Sequence, residues 1–381
     1  MKIIKIMHVI TGLSTGGAEM MLYKLVSRME RPAFQNIVVS LQDPGTLGKR
    51  INSLGIPVVT LGMRRGVPNP LPVLRLLSLL RQERPQILQT WLYHADLLGL
   101  VTGKIARVPA VIWNLQCSDI RQDRGSPGLS LIIRGLRKLS HLPEAILVNS
   151  MRGRLDHERQ GYHPVRWVFI PNGFDVDLFS PALTGSSQLR RSLGLPPKAP
   201  LIGFVARFHP MKDHANFLEA AGHLHRLRPE VHFVLVGRGI DEKNSFLMAR
   251  INSLGLAGQV HLLGERPDIP AITNILDLAT SASAYGEGFP GVVGEAMACG
   301  VPCVVTDVGD SAYLVGETGR VVPPASPMAL AAAWQEILSL PDNERQALGK
   351  AARQRVVANF SLDKVVKQYE ELYEELQSQI C

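Results

Sequence analysis

Two carboxylates and two cations in the second half of this 381-residue chain have the types and spacing of a binding site. Glu287 and Glu295 stand eight positions apart in Tyr285–Pro302, YGEGFPGVVGEAMACGVP. Gly286, Gly288, Gly291 and Pro290 crowd the first carboxylate. A helical pattern begins near Gly291 and runs to about Cys299, before Gly300 and Pro302. Glycines ahead of a helix leave backbone N–H groups free to point at an anion. A carboxylate before that helix and another inside it can flank an anionic, hydroxyl-bearing ligand. A glycine-rich turn with two solvated glutamates accounts for the spacing equally well. Arg207 and Lys212 lie five apart in Val205–Asp213, VARFHPMKD, between an apolar strand pattern and a helical one. Two fixed cations at the carboxyl end of a parallel strand suit a diphosphate, with solvated surface charge as the alternative. A third stretch, Thr11–Glu19 (TGLSTGGAE), sets Gly16 and Gly17 between the first strand and the first helix. It is not a GxGxxG fingerprint. It reads either as close backbone approach to a ligand or as a tight strand-to-helix turn.

The elements that must position these residues alternate between short apolar strands and amphipathic helices, which predicts α/β with parallel sheets. First-half strand candidates are Ile3–Ile10, Gln35–Leu41, Pro57–Leu61, Gln86–Thr90, Ala110–Asn114, Ala145–Val148 and Trp167–Ile170. Helical patterns between them include Glu19–Met29, Pro72–Arg84 and Asp96–Ala106. Turn chemistry at Pro171–Asn172–Gly173 and Pro181, the polar stretch Thr184–Gln188 and Pro196–Pro197 mark a boundary, placed after residue 178. The pattern then restarts. Strands are expected at Leu201–Ala206, His232–Val236, Gln259–Leu262, Leu278–Thr280, Cys303–Val305 and Arg320–Val322, with helices such as Asp213–Arg226 and Met328–Ser339. Two doubly wound units are the natural reading, each binding ligands outside the carboxyl ends of its strands. Asp363–Ser378 is a charged amphipathic helix near the C-terminus, with Ser361 as its N-cap.

Composition bounds the chemistry. Hydrophobic residues make up 46% of the chain and charged ones 19%, as in an ordinary globular protein. The four cysteines, Cys117, Cys299, Cys303 and Cys381, form no CxxC pair, so neither a zinc site nor a disulfide framework is expected. The N-terminal lysines and apolar run are read as a first strand, not a signal peptide, because His8 and a glycine loop interrupt them. No apolar run is long enough to span a bilayer. Residues 1–178 carry 23 Lys and Arg against 12 Asp and Glu, a net +11, while the remainder carries −3. That split suggests an anionic partner for the first half. No nucleic-acid-binding motif accompanies the charge.

Taken in order, GGAE, NGFD, RFHPMKD and EGFPGVVGE with AMACGVPCVVTDVG resemble the retaining nucleotide-sugar glycosyltransferases of the GT-B fold. The resemblance is to the family-four group that carries an E-x7-E motif, and it covers essentially the whole chain. It implies two Rossmann-like domains facing an interdomain cleft. Residues 1–178 would bind the acceptor and 179–360 the nucleotide-sugar donor, with the 361–381 helix packing back on the first domain. Carried over by residue, Arg207 and Lys212 neutralise the donor diphosphate and Glu295 binds the ribose. Glu287 faces the donor sugar. Gly288, Phe289 and Pro290 lay backbone against sugar and phosphate, and Gly16 and Gly17 form the loop that closes over the phosphates. Gly237, in the Val236–Ile240 loop that helps select sugar and base, joins the donor-binding set. Many family members carry a histidine just after the strand equivalent to Val111–Asn114. Here the sequence is WNLQCSD, with Gln116 and Cys117. His94, after the preceding strand, is the candidate in its place, with a helix N-terminal histidine satisfied by backbone as the alternative.

The resemblance implies no cofactor and no metal, the donor being a UDP- or GDP-sugar. Asp175–Val176–Asp177 is a DxD by letter but is read as a boundary element. The expected activity is hexosyl transfer to a lipid-linked or polysaccharide acceptor in cell-surface glycan synthesis, such as lipopolysaccharide. Retention is expected by front-face attack, with Glu287, His94, Arg207 and Lys212 as the catalytic set. Epimerisation or phosphorolysis on the same fold, and a non-catalytic nucleotide-binding scaffold, are the rivals. Leu129–Leu142 sets Leu129, Ile132, Ile133, Leu136 and Leu139 at helical spacing beside Arg134, Arg137 and Lys138, and Arg64–Arg65 precede the helix Val73–Leu80. Such segments either lie on an anionic membrane or pack on the sheet. The expectation is a cytoplasmic protein, peripheral on the inner face of the membrane.

Overall fold

A computed structural model describes residues 3–14, 16–63, 69–116, 127–181 and 186–380. Arg64, Arg65, Cys117, Cys381 and the start of Thr184–Gln188 lie outside the described residues. The chain divides into two compact units, 1–173 with 362–381, and 174–361.

Unit 1 holds β1 (Ile4–Ile10), β2 (Phe34–Ser40), β3 (Val58–Thr60), β4 (Ile87–Trp91), β5 (Ala110–Leu115), β6 (Ala145–Val148) and β7 (Trp167–Phe169). Their helices are α1 (Gly17–Arg28), α2 (Gly45–Ser53), α3 (Leu71–Glu83), α4 (Tyr93–Ala106), α5 (Pro127–Leu139) and α6 (Met151–Arg159). The strands pair in parallel in the order β3-β2-β1-β4-β5-β6-β7. Central strands buried on both faces read as near-continuous apolar runs, and β1 does so apart from Lys5 and His8. Ile4, Ile6 and Ile10 face α1 and α2, while Met7 and Val9 face α3, α4 and α5. This is the two-residue alternation of a strand.

The last helix, Leu362–Ile380, belongs to this unit although unit 2 intervenes in sequence. It buries Val365, Val366, Tyr369, Leu372, Tyr373 and Leu376 on the α1–α2 face of the sheet. Each buried phenol meets an amide on a strand. Asn114 Nδ2 donates to Tyr369 Oη at 2.9 Å, and Tyr373 Oη donates to Gln89 Oε1. Beside them His8 Nε2 lies 3.0 Å from Asn36 Oδ1, and Trp91 stacks on Tyr369. Pairing is what allows so many polar atoms inside a core.

Unit 2 opens with α7 (Ser186–Ser192) and continues as β8 (Leu201–Val205), α8 (His214–His225), β9 (His232–Val236), α9 (Ser245–Ser253) and β10 (Val260–Leu262). Then come α10 (Ile269–Thr273), β11 (Leu278–Ser281), α11 (Gly291–Ala298), β12 (Cys303–Thr306), α12 (Ser311–Val315) and β13 (Gly319–Val322). It closes with α13 (Pro327–Leu338) and α14 (Asp342–Phe360), and the C-terminal helix is α15. The parallel sheet runs β10-β9-β8-β11-β12-β13. The crossing falls after Gly173, not after residue 178. Phe174 is the physical reason: its ring is fully buried against Gly294 and stacks on Phe289, and its N–H donates to Phe360 O at 2.9 Å.

Each sheet has a switch point, where connections leave two neighbouring strands in opposite directions and open a crevice at their carboxyl ends. In unit 1 it lies between β1 and β4, and in unit 2 between β8 and β11.

Candidate functional site

The unit 2 switch point gathers the charged residues. After β8 the chain turns through Arg207, a short 3-10 turn at Pro210–Lys212 and Asp213, whose side chain caps α8 by accepting from Asn216 N–H at 3.1 Å. After β11 it runs through Ser283 and Glu287 to Pro290, the N-cap of α11. Ala284 N–H donates to Met211 O at 2.9 Å and ties the two loops together. The Lys212 ammonium forms an ion pair with Glu287 Oε1. Glu287 is only 7% exposed, so it is not a solvated glutamate on a turn. A carboxylate so enclosed needs its counter-charge. Arg207 is exposed beside this pair, and Glu295 is half-buried on α11.

Two glycines are demanded by close approach. Gly237 has φ +148°, and a Cβ there would lie 2.2 Å from Ala206 O, so the loop after β9 lies directly on the Arg207 loop. Gly309 has φ +59°, and a Cβ there would lie 2.1 Å from Glu287 O. Its neighbour Asp310 donates its N–H to Gly288 O at 2.9 Å. The Phe289 ring is buried against Phe174 and Phe360, which leaves backbone as what this residue offers a ligand. Two histidines report the local field. His209 is held below its usual pKa by burial and by Arg207 and Lys212. His214, against Phe204 and Phe208, is pushed down to about 4 by burial and by Lys212. Both shifts favour the neutral ring beside these cations. Burial, then the charge of Glu295, pushes the Cys299 thiol up to about 12 and makes it a poor nucleophile.

The unit 1 switch point is built differently. Ile10 at the end of β1 pairs with Trp91 at the end of β4, so the loops bearing Gly16–Gly17 and His94 leave neighbouring strands. Gly16 caps α1 with an extended backbone, and the Glu19 carboxylate folds back over it. Burial raises the pKa of Glu19. His94 is exposed in the first turn of α4. The residue before α4, Leu92, has φ +72°, a conformation that costs a non-glycine residue energy and is maintained by its surroundings. Thr90 Oγ1 donates to Asp96 Oδ1 at 2.5 Å and Tyr93 Oη lies 3.0 Å from His157 Nε2, fixing α4 on both sides of that turn. After β5, Gln116 continues a run of amides. Its Nε2 donates to Asn114 Oδ1 at 2.8 Å, and Asn149 Nδ2 donates to Gln116 Oε1 at 2.8 Å.

The apolar stripe of Leu129–Leu142 faces inward, while Arg134, Arg137 and Lys138 are exposed. Ile133 and Leu136 are buried in the core against the sheet, and Leu129, Ile132 and Leu139 are half-buried. The exposed apolar side chains of this helix layer are others: Leu71 and Leu74 on α3, Val101 and Ile105 on α4, and Leu131 on α5. Sequence reasoning also passed over Ser283, buried four residues before Glu287, and Thr306 at the end of β12. The one signal available was a hydroxyl at the carboxyl end of each strand.

Two family profiles tile the chain. One described as Glycosyltransferase Family 4 matches residues 15–178, and one described as Glycosyl transferases group 1 matches residues 186–355. The chain belongs to the family-four glycosyltransferases and has the GT-B fold. Among its relatives is an Escherichia coli UDP-Gal:alpha-D-GlcNAc-diphosphoundecaprenol alpha-1,3-galactosyltransferase, 25% identical over 79% of this chain and 78% of its own. The lipopolysaccharide core biosynthesis mannosyltransferase LpsB of Rhizobium meliloti is 26% identical over 85% of this chain and 90% of its own. Among solved structures, Anabaena HepE in complex with UDP-glucose superposes with a TM-score of 0.82 at 25% identity, covering 97% of this chain and 99% of that one.

Proposed function

We propose that this glycosyltransferase moves a sugar from a nucleoside diphosphate sugar, UDP- or GDP-linked, to a lipid-linked or polysaccharide acceptor in cell-surface glycan synthesis. Unit 2 binds the donor and unit 1 the acceptor. The observation that carries the reading is the cation pair at the β8–β11 switch point, with Lys212 already held against Glu287. As the sugar–phosphate bond breaks, negative charge grows on the leaving diphosphate. Lys212, held in place before the reaction, and Arg207 stabilise that charge more than they stabilise the bound donor. Glu295 accepts from the ribose hydroxyls, and the backbone at Gly288–Pro290 and Gly237 lines the phosphates and sugar. Gly16, Gly17 and His94 are the unit 1 candidates for contact with donor or acceptor.

Transfer proceeds with retention and without a divalent metal. The acceptor oxygen attacks the anomeric carbon on the face the diphosphate leaves, and a leaving phosphate oxygen takes the acceptor's proton. Support for metal independence is the fixed positive charge that Arg207 and Lys212 supply. Support for the acceptor class is the E. coli relative, whose name places its acceptor on diphosphoundecaprenol, and the lipopolysaccharide role in the Rhizobium relative's name.

Peripheral attachment to the inner face of the cytoplasmic membrane is part of the same reading. Among the described residues no helix is long and apolar enough to cross a membrane. Leu74, Ile105 and Leu131 stand exposed on adjacent helices α3, α4 and α5, among exposed Arg75, Arg107 and Arg134. An apolar face ringed by cations suits an anionic surface. The test is a donor panel of UDP-, GDP-, ADP- and dTDP-sugars with a diphosphoundecaprenol-linked sugar, product anomer assigned by NMR, with and without EDTA. An α-linked product from an α-linked donor, undiminished by EDTA, is expected. Inversion, a metal requirement or donor turnover without an acceptor would sink the corresponding claim. Absence of binding to anionic vesicles at low salt removes the membrane claim.

A further inference from the structure

Two donors reach the same oxygen of Glu287. The Lys212 ammonium pairs with Oε1, and Ser283 Oγ donates to Oε1 at 2.5 Å. Ser283 is itself held. It is fully buried, and Thr306 Oγ1, buried at the end of β12, donates to the Ser283 carbonyl at 2.6 Å. The Ala284–Met211 hydrogen bond joins the Ser283 segment to the loop that carries Lys212. Strands β8, β11 and β12 are neighbours in the sheet, so three loops converge on one carboxylate.

The two donors differ in what else they can serve. Lys212 is a cation on a long stem, and a diphosphate competes for it. Ser283 is neutral, short and enclosed, so a bound diphosphate does not draw it away. When a diphosphate recruits Lys212, the Lys212–Glu287 ion pair weakens. An enclosed carboxylate whose ion pair weakens is drawn toward solvent or after the cation, and the donors that stay oppose that movement. We propose that Ser283 is a positioning residue: it keeps Glu287 in place while the donor diphosphate recruits Lys212, and Thr306 holds Ser283 for that task. The inference rests on the reading of Lys212 as a diphosphate ligand and Glu287 as facing the sugar.

The test is a double-mutant cycle on the full chain, using the donor and acceptor that the panel identifies. Ser283→Ala is expected to lower kcat by about tenfold to a hundredfold, the loss of one hydrogen bond to a charged group, with donor KM nearly unchanged. In a Glu287→Gln background the same substitution should add less than about a twofold further loss, because residues acting through one another are not additive. Thr306→Val should reproduce part of the kcat loss in the wild-type background and none in the Glu287→Gln one. Ser283→Cys, which is slightly larger and a weaker donor, should fall between wild type and Ser283→Ala. If it falls with wild type, the hydroxyl is not what matters and the proposal fails. Equal losses of rate in both backgrounds, in step with the loss of thermal stability, would show a merely structural role and overturn the inference alone. No transfer by the unaltered chain with any donor overturns the underlying reading, and this inference with it.

Discussion

The two switch points of this chain are made of opposite materials. In unit 2 the loops after β8 and β11 deliver Arg207, Lys212 and Glu287, and backbone contacts at Met211, Gly288 and Gly309 hold them. In unit 1 the loops after β1 and β4 deliver glycines, a leucine at φ +72° and an exposed histidine. The buried polar network of unit 1 lies elsewhere, where α15 docks on the sheet through Asn114–Tyr369 and Gln89–Tyr373. Under the proposed function the difference follows from physical chemistry. A diphosphate is a permanent charge, and counter-charges serve it best when folding has already fixed them. Under the proposed function, the glycine loop of unit 1 allows close backbone approach to a ligand, a contact that does not depend on side-chain charge.

That contrast breaks or sharpens under substitution. Under the proposed function, Lys212→Ala removes a diphosphate counter-charge and an ion-pair partner of Glu287 together. It should lower kcat/KM for the donor about a thousandfold in initial-rate assays. His94→Ala should cost kcat only about tenfold, since it supplies no permanent charge to the leaving group. If the histidine substitution costs more than the lysine one, the electrostatic weight lies in unit 1 and the contrast is reversed. Glu295→Gln should raise donor KM about tenfold with kcat within about twofold, the mark of an interaction equal in ground and transition states.

Acid should weaken the fold. Burial holds His8 and His157 in unit 1 and His214 in unit 2 at about 4. Between that value and the unfolded histidine pKa near 6.5 the unfolded chain binds more protons, so stability is full above that range and falls as pH drops. Asp96 and Glu19, whose pKa values burial raises, work in the opposite direction, and the prediction is that the three histidines dominate. The thermal midpoint at pH 4.5 should lie roughly 5 °C below that at pH 7. The smallest effect is on stability alone. Tyr369→Phe removes the acceptor of Asn114 Nδ2 and should cost about 1 kcal/mol, roughly 3 °C in calorimetry, with donor affinity in unit 2 unchanged. A change in donor affinity would mean the two networks are coupled.

Much of the fold was legible in the chain because buried parallel strands are short apolar runs between turn residues. His232–Val236 and Ala145–Val148 have the same limits in sequence and structure, and the other strands differ by a residue or two. The helix Asp342–Phe360 was not legible. It turns only Gly349, Ala352, Val356 and Phe360 inward, a narrow stripe that starts with small residues and leaves little periodic signal. The inward turn of Ile133 and Leu136 was equally hidden, since periodicity identifies an apolar face but not what covers it.

The sequence by itself determined the alternating parallel architecture, the types of residue at each strand's carboxyl end, and a resemblance strong enough to assign Arg207, Lys212, Glu287 and Glu295 their candidate roles. Only the tertiary structure decided which of these meet. Lys212 and Glu287 are 75 residues apart and share an ion pair because β8 and β11 are adjacent in the sheet. Ser283 and Thr306, ordinary hydroxyls in the chain, become supports of one carboxylate because β12 lies next in that order. Local pattern reports burial and turn chemistry, which neighbouring residues impose. A charge held by three loops depends on strand order, which long-range packing alone sets.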